Sequence, residues 1–163
     1  MKKVILIVCF FLIYTFNLFS VEPKLQEVLK GLDSPWSLTF ITDNKVLITE
    51  KAGNLKLVDF NNKKIKEIKH NLDVLEDGQG GLLEVLYHNE EVFVSYSENL
   101  KKGKTSTSVA KAKFNENILN FKNIFRATPP INSGYHFGSR LVVKDNFLYI
   151  TAGERGEGMI AQD

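Results

Sequence analysis

Residues 37–49 (Ser-Leu-Thr-Phe-Ile-Thr-Asp-Asn-Lys-Val-Leu-Ile-Thr) align without a gap on residues 139–151 (Ser-Arg-Leu-Val-Val-Lys-Asp-Asn-Phe-Leu-Tyr-Ile-Thr). Both copies read as a strand, an Asp-Asn turn and a second strand, and a repeat constrains a fold more tightly than any single element. Residues 81–95 fit the same outline, which places unit starts near Ser37, Gly81 and Ser139. Units of this length, each with about four short strands, are the signature of β-propeller blades. A two-sheet sandwich with a chance likeness between strands is the alternative.

The rest of the chain speaks the same grammar. Short apolar or alternating runs occupy residues 25–29, 37–41, 45–49, 54–60, 64–68, 82–87, 91–96, 106–114, 118–125, 139–143 and 147–151, with Asn, Asp, Gly and Lys between them. No window longer than about ten residues holds a helical apolar period after the N-terminal segment. The expected fold is therefore all-β, and the chain supplies about two and a half blades of a propeller. Closing a ring takes at least about four blades, so residues 21–163 are expected to be the N-terminal part of a longer, otherwise incomplete propeller. Open strand edges would make such a piece prone to association.

Residues 1–20 carry a separate signal. Lys2 and Lys3 precede an apolar run from Val4 to Phe16 and a small residue at Ser20, the pattern of an export leader. Leu18 stands where a small residue is preferred, so retention as an anchor is the alternative to cleavage. A cleaved leader implies a periplasmic or secreted protein with no stable membrane insertion. The only cysteine, Cys9, lies inside that run, which leaves the body without disulfide or thiol chemistry. Lys2 and Lys3 account for the whole of the formal charge of +2, so the rest of the chain is neutral and has no basic footprint for nucleic acid.

Three stretches depart from strand grammar: Pro35-Trp36-Ser37, Asp77 through Leu83 with its Gly-Gln-Gly-Gly core, and Gly134-Tyr-His-Phe-Gly-Ser-Arg140 followed by Ala152-Gly-Glu-Arg-Gly-Glu157. Each adjoins a strand end, where a propeller gathers side chains around its channel mouth. His136, an imidazole that can accept or donate a proton, has glycines on both sides that allow close approach of a ligand. On the residues alone it is either a base or a structural strand-end histidine. Trp36 reads as a packing ring between blades, and His70 and His88 as surface or inter-strand residues.

Pro35-Trp36-Ser37-Leu-Thr-Phe, Leu47-Ile-Thr-Glu-Lys-Ala-Gly53, Gly78-Gln-Gly-Gly-Leu-Leu83, Tyr96-Ser-Glu98, His136-Phe-Gly-Ser-Arg-Leu141 and Gly153-Glu-Arg-Gly156 through Ala161-Gln-Asp163 follow one another in this order. In that order they resemble the soluble PQQ-dependent aldose sugar dehydrogenases of the glucose/sorbosone dehydrogenase family. The resemblance implies a six-bladed β-propeller that oxidises the C1 hydroxyl of aldoses to lactones, with pyrroloquinoline quinone (PQQ) and calcium as cofactors and an electron acceptor as partner. It implies His136 as the general base and Glu154, where relatives often have aspartate, as the carboxylate that orients it. It also places Gln79 beside cofactor and sugar. For Arg140, a cofactor contact and a structural salt bridge stay equally open. The calcium ligands are expected beyond Asp163, so no metal site is expected in this chain. The rival reading is a secreted propeller that binds a partner without catalysis; a lactonase-type hydrolase would need a repeated channel-facing acid that these blades lack.

Overall fold

The computed structural model describes residues 23–162. The chain divides into two units, Met1–Lys30 and Gly31–Asp163. Within the first, the described residues 23–30 form no regular element. The strand expected over residues 25–29 is absent: Leu25 is fully exposed and no sheet edge pairs with it. Alternation alone does not make a strand when its ladder has no partner. The expected leader over residues 1–20 lies outside the described residues, and among those described no helix is long and apolar enough to cross a membrane.

The second unit is built of antiparallel sheets that follow the repeat. Strands β1 (Pro35–Thr42), β2 (Lys45–Glu50), β3 (Leu55–Asp59) and β4 (Lys64–His70) form the first meander. Strands β5 (Leu82–His88), β6 (Glu91–Asn99), β7 (Thr105–Lys113) and β9 (Lys122–Arg126) form the second. A third sheet contains β10 (Gly138–Lys144) and β11 (Phe147–Ala152). These are two blades and the inner hairpin of another, starting where the repeat put them. Turn chemistry explains the shared outline. Asn89-Glu90 and Asp145-Asn146 both take positive φ at two successive residues, the geometry that matches a two-residue hairpin to strand twist.

The sheets stack face to face, and small hydroxyl side chains let their inner strands approach. Ser37 and Thr39 on β1 accept from the backbone N–H groups of Val85 and Tyr87 on β5, at 3.4 and 3.2 Å. Ser95 on β6 donates to the Ser139 carbonyl of β10 at 2.6 Å. Between the first two sheets lies the main core, with Leu47, Leu55, Ile68, Leu82, Val92 and Leu119 at 1% exposure or less. A smaller cluster of Phe93, Val109 and Leu141 joins the second sheet to the third.

One expected strand is two. The run over residues 118–125 divides into β8 (Ile118–Leu119), which pairs in parallel with β4 of the first blade, and β9, which pairs with β7 of the second. The connection between β7 and β9 thus straps one blade to the other. Asn71 secures it by exchanging two hydrogen bonds with the Phe121 backbone at 2.8 and 3.1 Å. Leu119 on this strap is fully buried in the main core. Leu119→Ala in the full-length protein is expected to cost about 2–5 kcal/mol in denaturant unfolding. A cost below about 1 kcal/mol would mean the strap merely lies on the surface.

Candidate functional site

Two loops that precede inner strands meet through glycines. Gln79, in the turn before β5, donates its backbone N–H to the Gly134 carbonyl at 2.7 Å, and Gly80 closes the turn onto Asp77 at 2.7 Å. A Cβ on Gly78 would stand 2.5 Å from the Gly134 carbonyl oxygen, and Gly78 has φ +54, so this contact needs glycine twice over. Lys51 Nζ, from the turn after β2, caps the Gly78 carbonyl at 2.6 Å.

That junction fixes His136. Its backbone N–H donates to Gln79 Oε1 at 2.9 Å, so the glutamine loop and the histidine loop hold each other in both directions. His136 itself sits at φ 49, a left-handed conformation uncommon for a side chain with Cβ and retained where surroundings over-determine it. On the other side, Gly153 lies against the His136 carbonyl at the end of β11, which brings Glu154 alongside. Glu154 Oε1 is in hydrogen-bond contact with His136 Nδ1. The added methylene of glutamate therefore does not prevent the contact.

The electrostatics follow from this pairing. The His136 hydrogen bond, aided by the loop backbone N–H groups of Glu154 and Gly156, holds the Glu154 carboxyl below the usual carboxylate range despite some desolvation. A carboxylate on Nδ1 places the ring proton there in the neutral state and leaves Nε2 as the free acceptor on an exposed side chain. Because the folded-state value is depressed, the contact is fully present above the ordinary value of 4.5 and is lost only as pH falls through the lower one. A ¹³C titration of the Glu154 carboxyl is expected to show a midpoint below 4.5, and a midpoint at or above it would mean the pair is not formed in solution.

His136, Glu154 and Gln79 are thus brought together. Arg140 is not hydrogen-bonded to that group: its guanidinium pairs with Glu84 Oε2 at 2.5 Å, and its backbone N–H donates to Thr151 Oγ1 at 2.9 Å. The Arg140–Glu84 pair stands at the polar edge of an open cavity of about 470 Å³ walled by Pro35, Trp36, Leu38 and Ile48. Trp36 is 44% exposed in this chain and lines that cavity. His70 is structural, with Nε2 on the Gly53 carbonyl at 2.7 Å, and His88 is exposed. Glu50 is buried against Asp33, Asn54 and Lys56, which makes it a turn anchor. Among the described residues no cluster of three or more His, Cys, Asp or Glu could hold a metal ion.

Lys51 and Arg155 were not singled out by sequence reasoning. Both lie inside quoted motifs, but each acts through backbone carbonyls, which leave no trace in residue type.

The sequence pattern of the Glucose / Sorbosone dehydrogenase family matches residues 32–163. The aldose sugar dehydrogenase YliI of Escherichia coli (strain K12) is 34% identical over 148 residues, covering 84% of this chain and 40% of that protein. A crystal structure of a glucose dehydrogenase superposes with a TM-score of 0.80 at 34% identity, over 86% of this chain and 44% of that one. The PQQ-bound form of the aldose sugar dehydrogenase of Streptomyces coelicolor shares the fold, with a TM-score of 0.74 at 22% identity over 86% of this chain and 44% of that one. The chain accordingly spans about two fifths of the length of the Escherichia coli relative.

Proposed function

The chain belongs to the glucose/sorbosone dehydrogenase family, and on that premise we propose that the full-length protein oxidises the C1 hydroxyl of aldose sugars to lactones, with PQQ as bound oxidant. The observation that carries this reading is the clasp around His136. Its Nδ1 is committed to Glu154, its backbone to Gln79, and its Nε2 has no partner among the described residues on a half-exposed side chain.

The free donors and acceptors fit a planar quinone and a sugar hydroxyl. Gln79 spends its side-chain oxygen on His136, which leaves its Nε2 amide as a donor with no partner among the described residues. Gln79 would therefore hold the cofactor from this chain. When bound, the quinone supplies the oxidant, accepting the two electrons that leave the sugar carbon. His136 Nε2 takes the proton of the C1 hydroxyl, and the Glu154 carboxylate stabilises the imidazolium that results. Gln79 orients the reacting partners by hydrogen bonding. Arg140 belongs to this proposal only through the Glu84 pair beneath Trp36, and it would reach a ligand by exchanging that partner. Calcium is proposed for the whole protein, with no step assigned to it on these residues. The proposed location is the periplasm or the exterior, reached by the leader read in residues 1–20.

The test is reconstitution of the full-length protein with PQQ and calcium, followed by reduction of an artificial electron-accepting dye on addition of aldoses. Aldose-dependent dye reduction with lactone as product supports the reading. PQQ binding without turnover on any aldose would overturn it in favour of a non-catalytic propeller.

A further inference from the structure

After Glu50, Arg155 is the most buried charged side chain among the described residues, at 6% exposure, and no carboxylate pairs with it among them. Burial accordingly pushes its guanidinium below the usual arginine range. Its donors go instead to backbone and hydroxyl oxygens. Nε donates to the Tyr135 carbonyl at 2.9 Å, one terminal nitrogen to the Ser133 carbonyl and to Thr105 Oγ1 (the latter at 2.5 Å), and the other to the Thr105 carbonyl at 3.3 Å. The guanidinium carbon lies 3.7 Å from the centre of the Phe137 ring. Ser133 Oγ returns a hydrogen bond to the Arg155 carbonyl at 2.5 Å.

We propose that Arg155 is a positioning residue for His136, clamping the loop on both sides of it to β7 of the neighbouring blade. The residues it grips, Ser133, Tyr135 and Phe137, bracket position 136, while Thr105 anchors the other end. Because Arg155 follows Glu154 directly, one clamp fixes the base and the carboxylate that orients it. A planar fork with five N–H donors suits this task, since it can reach carbonyls on two loops at once while stacking on a ring. A lysine ammonium offers three donors from one point and cannot reproduce that span. The charge stays solvated by these carbonyl dipoles, which explains how a cation is buried without an acid.

The catalytic consequence rests on the reading of His136 as base, but the geometric consequence does not. The full-length protein, labelled with ¹⁵N-histidine, is read at a pH where the ring is neutral, with His136 assigned by difference against His136→Ala. Its ring nitrogens are expected to report a single Nδ1–H tautomer. In Arg155→Met and Arg155→Lys that signal is expected to become a tautomer mixture, while His70, held by the Gly53 carbonyl in another blade, stays unchanged. Turnover is expected to fall about tenfold or more with KM little altered, as for a misplaced base. An unaltered His136 signal in either folded variant overturns the proposal. If neither variant folds, Thr105→Val decides, since it deletes one acceptor of the clamp: a mixed tautomer supports the proposal and an unchanged one overturns it. A tautomer change in a protein that oxidises no aldose would uphold the clamp and sink the enzymatic reading instead.

Discussion

Replacing His136 with asparagine is expected to lower aldose oxidation by the full-length protein about 10²–10⁴-fold, the usual worth of a positioned general base. Asparagine is the informative choice because position 136 sits at φ 49, which asparagine adopts more readily than most residues with a Cβ. The backbone N–H that binds Gln79 Oε1 is kept, so the glutamine loop stays in place. His136 is exposed, and its truncation opens no cavity, which keeps the expected stability change within about 0.5 kcal/mol. PQQ affinity, followed by cofactor absorbance, is expected to change little, whereas kcat collapses. Turnover within a factor of about three of the parent would reject His136 as the base, because an uncatalysed proton transfer cannot keep pace. Glu154→Gln is expected to fall between the two, since it keeps a hydrogen-bond partner for Nδ1 but removes the charge that stabilises the imidazolium.

How much of this was legible in sequence depends on how local each feature is. The blade boundaries were, because Ser37 and Ser139 begin the same strand and turn pattern and turn chemistry acts over two residues. The division of residues 118–125 was not. Ile118, Leu119 and Phe121 alternate as a strand does, and only contacts with β4 and Asn71, fifty or so positions earlier in the chain, part them from β9. The likeness of Leu25, Val28 and Leu29 to a strand failed for the converse reason, as no edge receives them. At the site, the resemblance grouped Gln79, His136 and Glu154, and the structure puts their loops in contact where glycines let the backbones touch. The same glycine argument reaches neither Arg140, whose partner Glu84 lies on another strand, nor Arg155, most of whose hydrogen-bond partners are carbonyl groups carried by every residue. What sequence marked is the surface that two loops share; what it left unmarked is the side-chain wiring beneath.

Gly153→Ala tests that wiring from the backbone side and is expected to have the second-largest effect. A Cβ at position 153 would lie 2.0 Å from the His136 carbonyl oxygen, 2.8 Å from its carbonyl carbon and 3.3 Å from its Cβ. Two of these atoms are backbone, so no rotamer change relieves the clash. Either the start of β10 or the end of β11 must move, and the Gly153 N–H to Phe137 carbonyl bond of 3.2 Å lies on the line of separation. Overpacking of this kind costs about 1–3 kcal/mol in unfolding free energy. The shift also parts Glu154 from His136, and misplacement of a catalytic group by about 1 Å can cost about 10²-fold in rate. Gly103→Ala is the matched control. It carries φ +69 but has nothing within 4 Å of the added carbon, so it is expected to lose about 1 kcal/mol through backbone strain alone and to keep full activity. Denaturant titration and aldose-dependent dye reduction read both quantities in both variants. Parental activity in Gly153→Ala would mean that the loop carrying Glu154 can yield without disturbing the base, and that the contact between them is not what makes His136 competent.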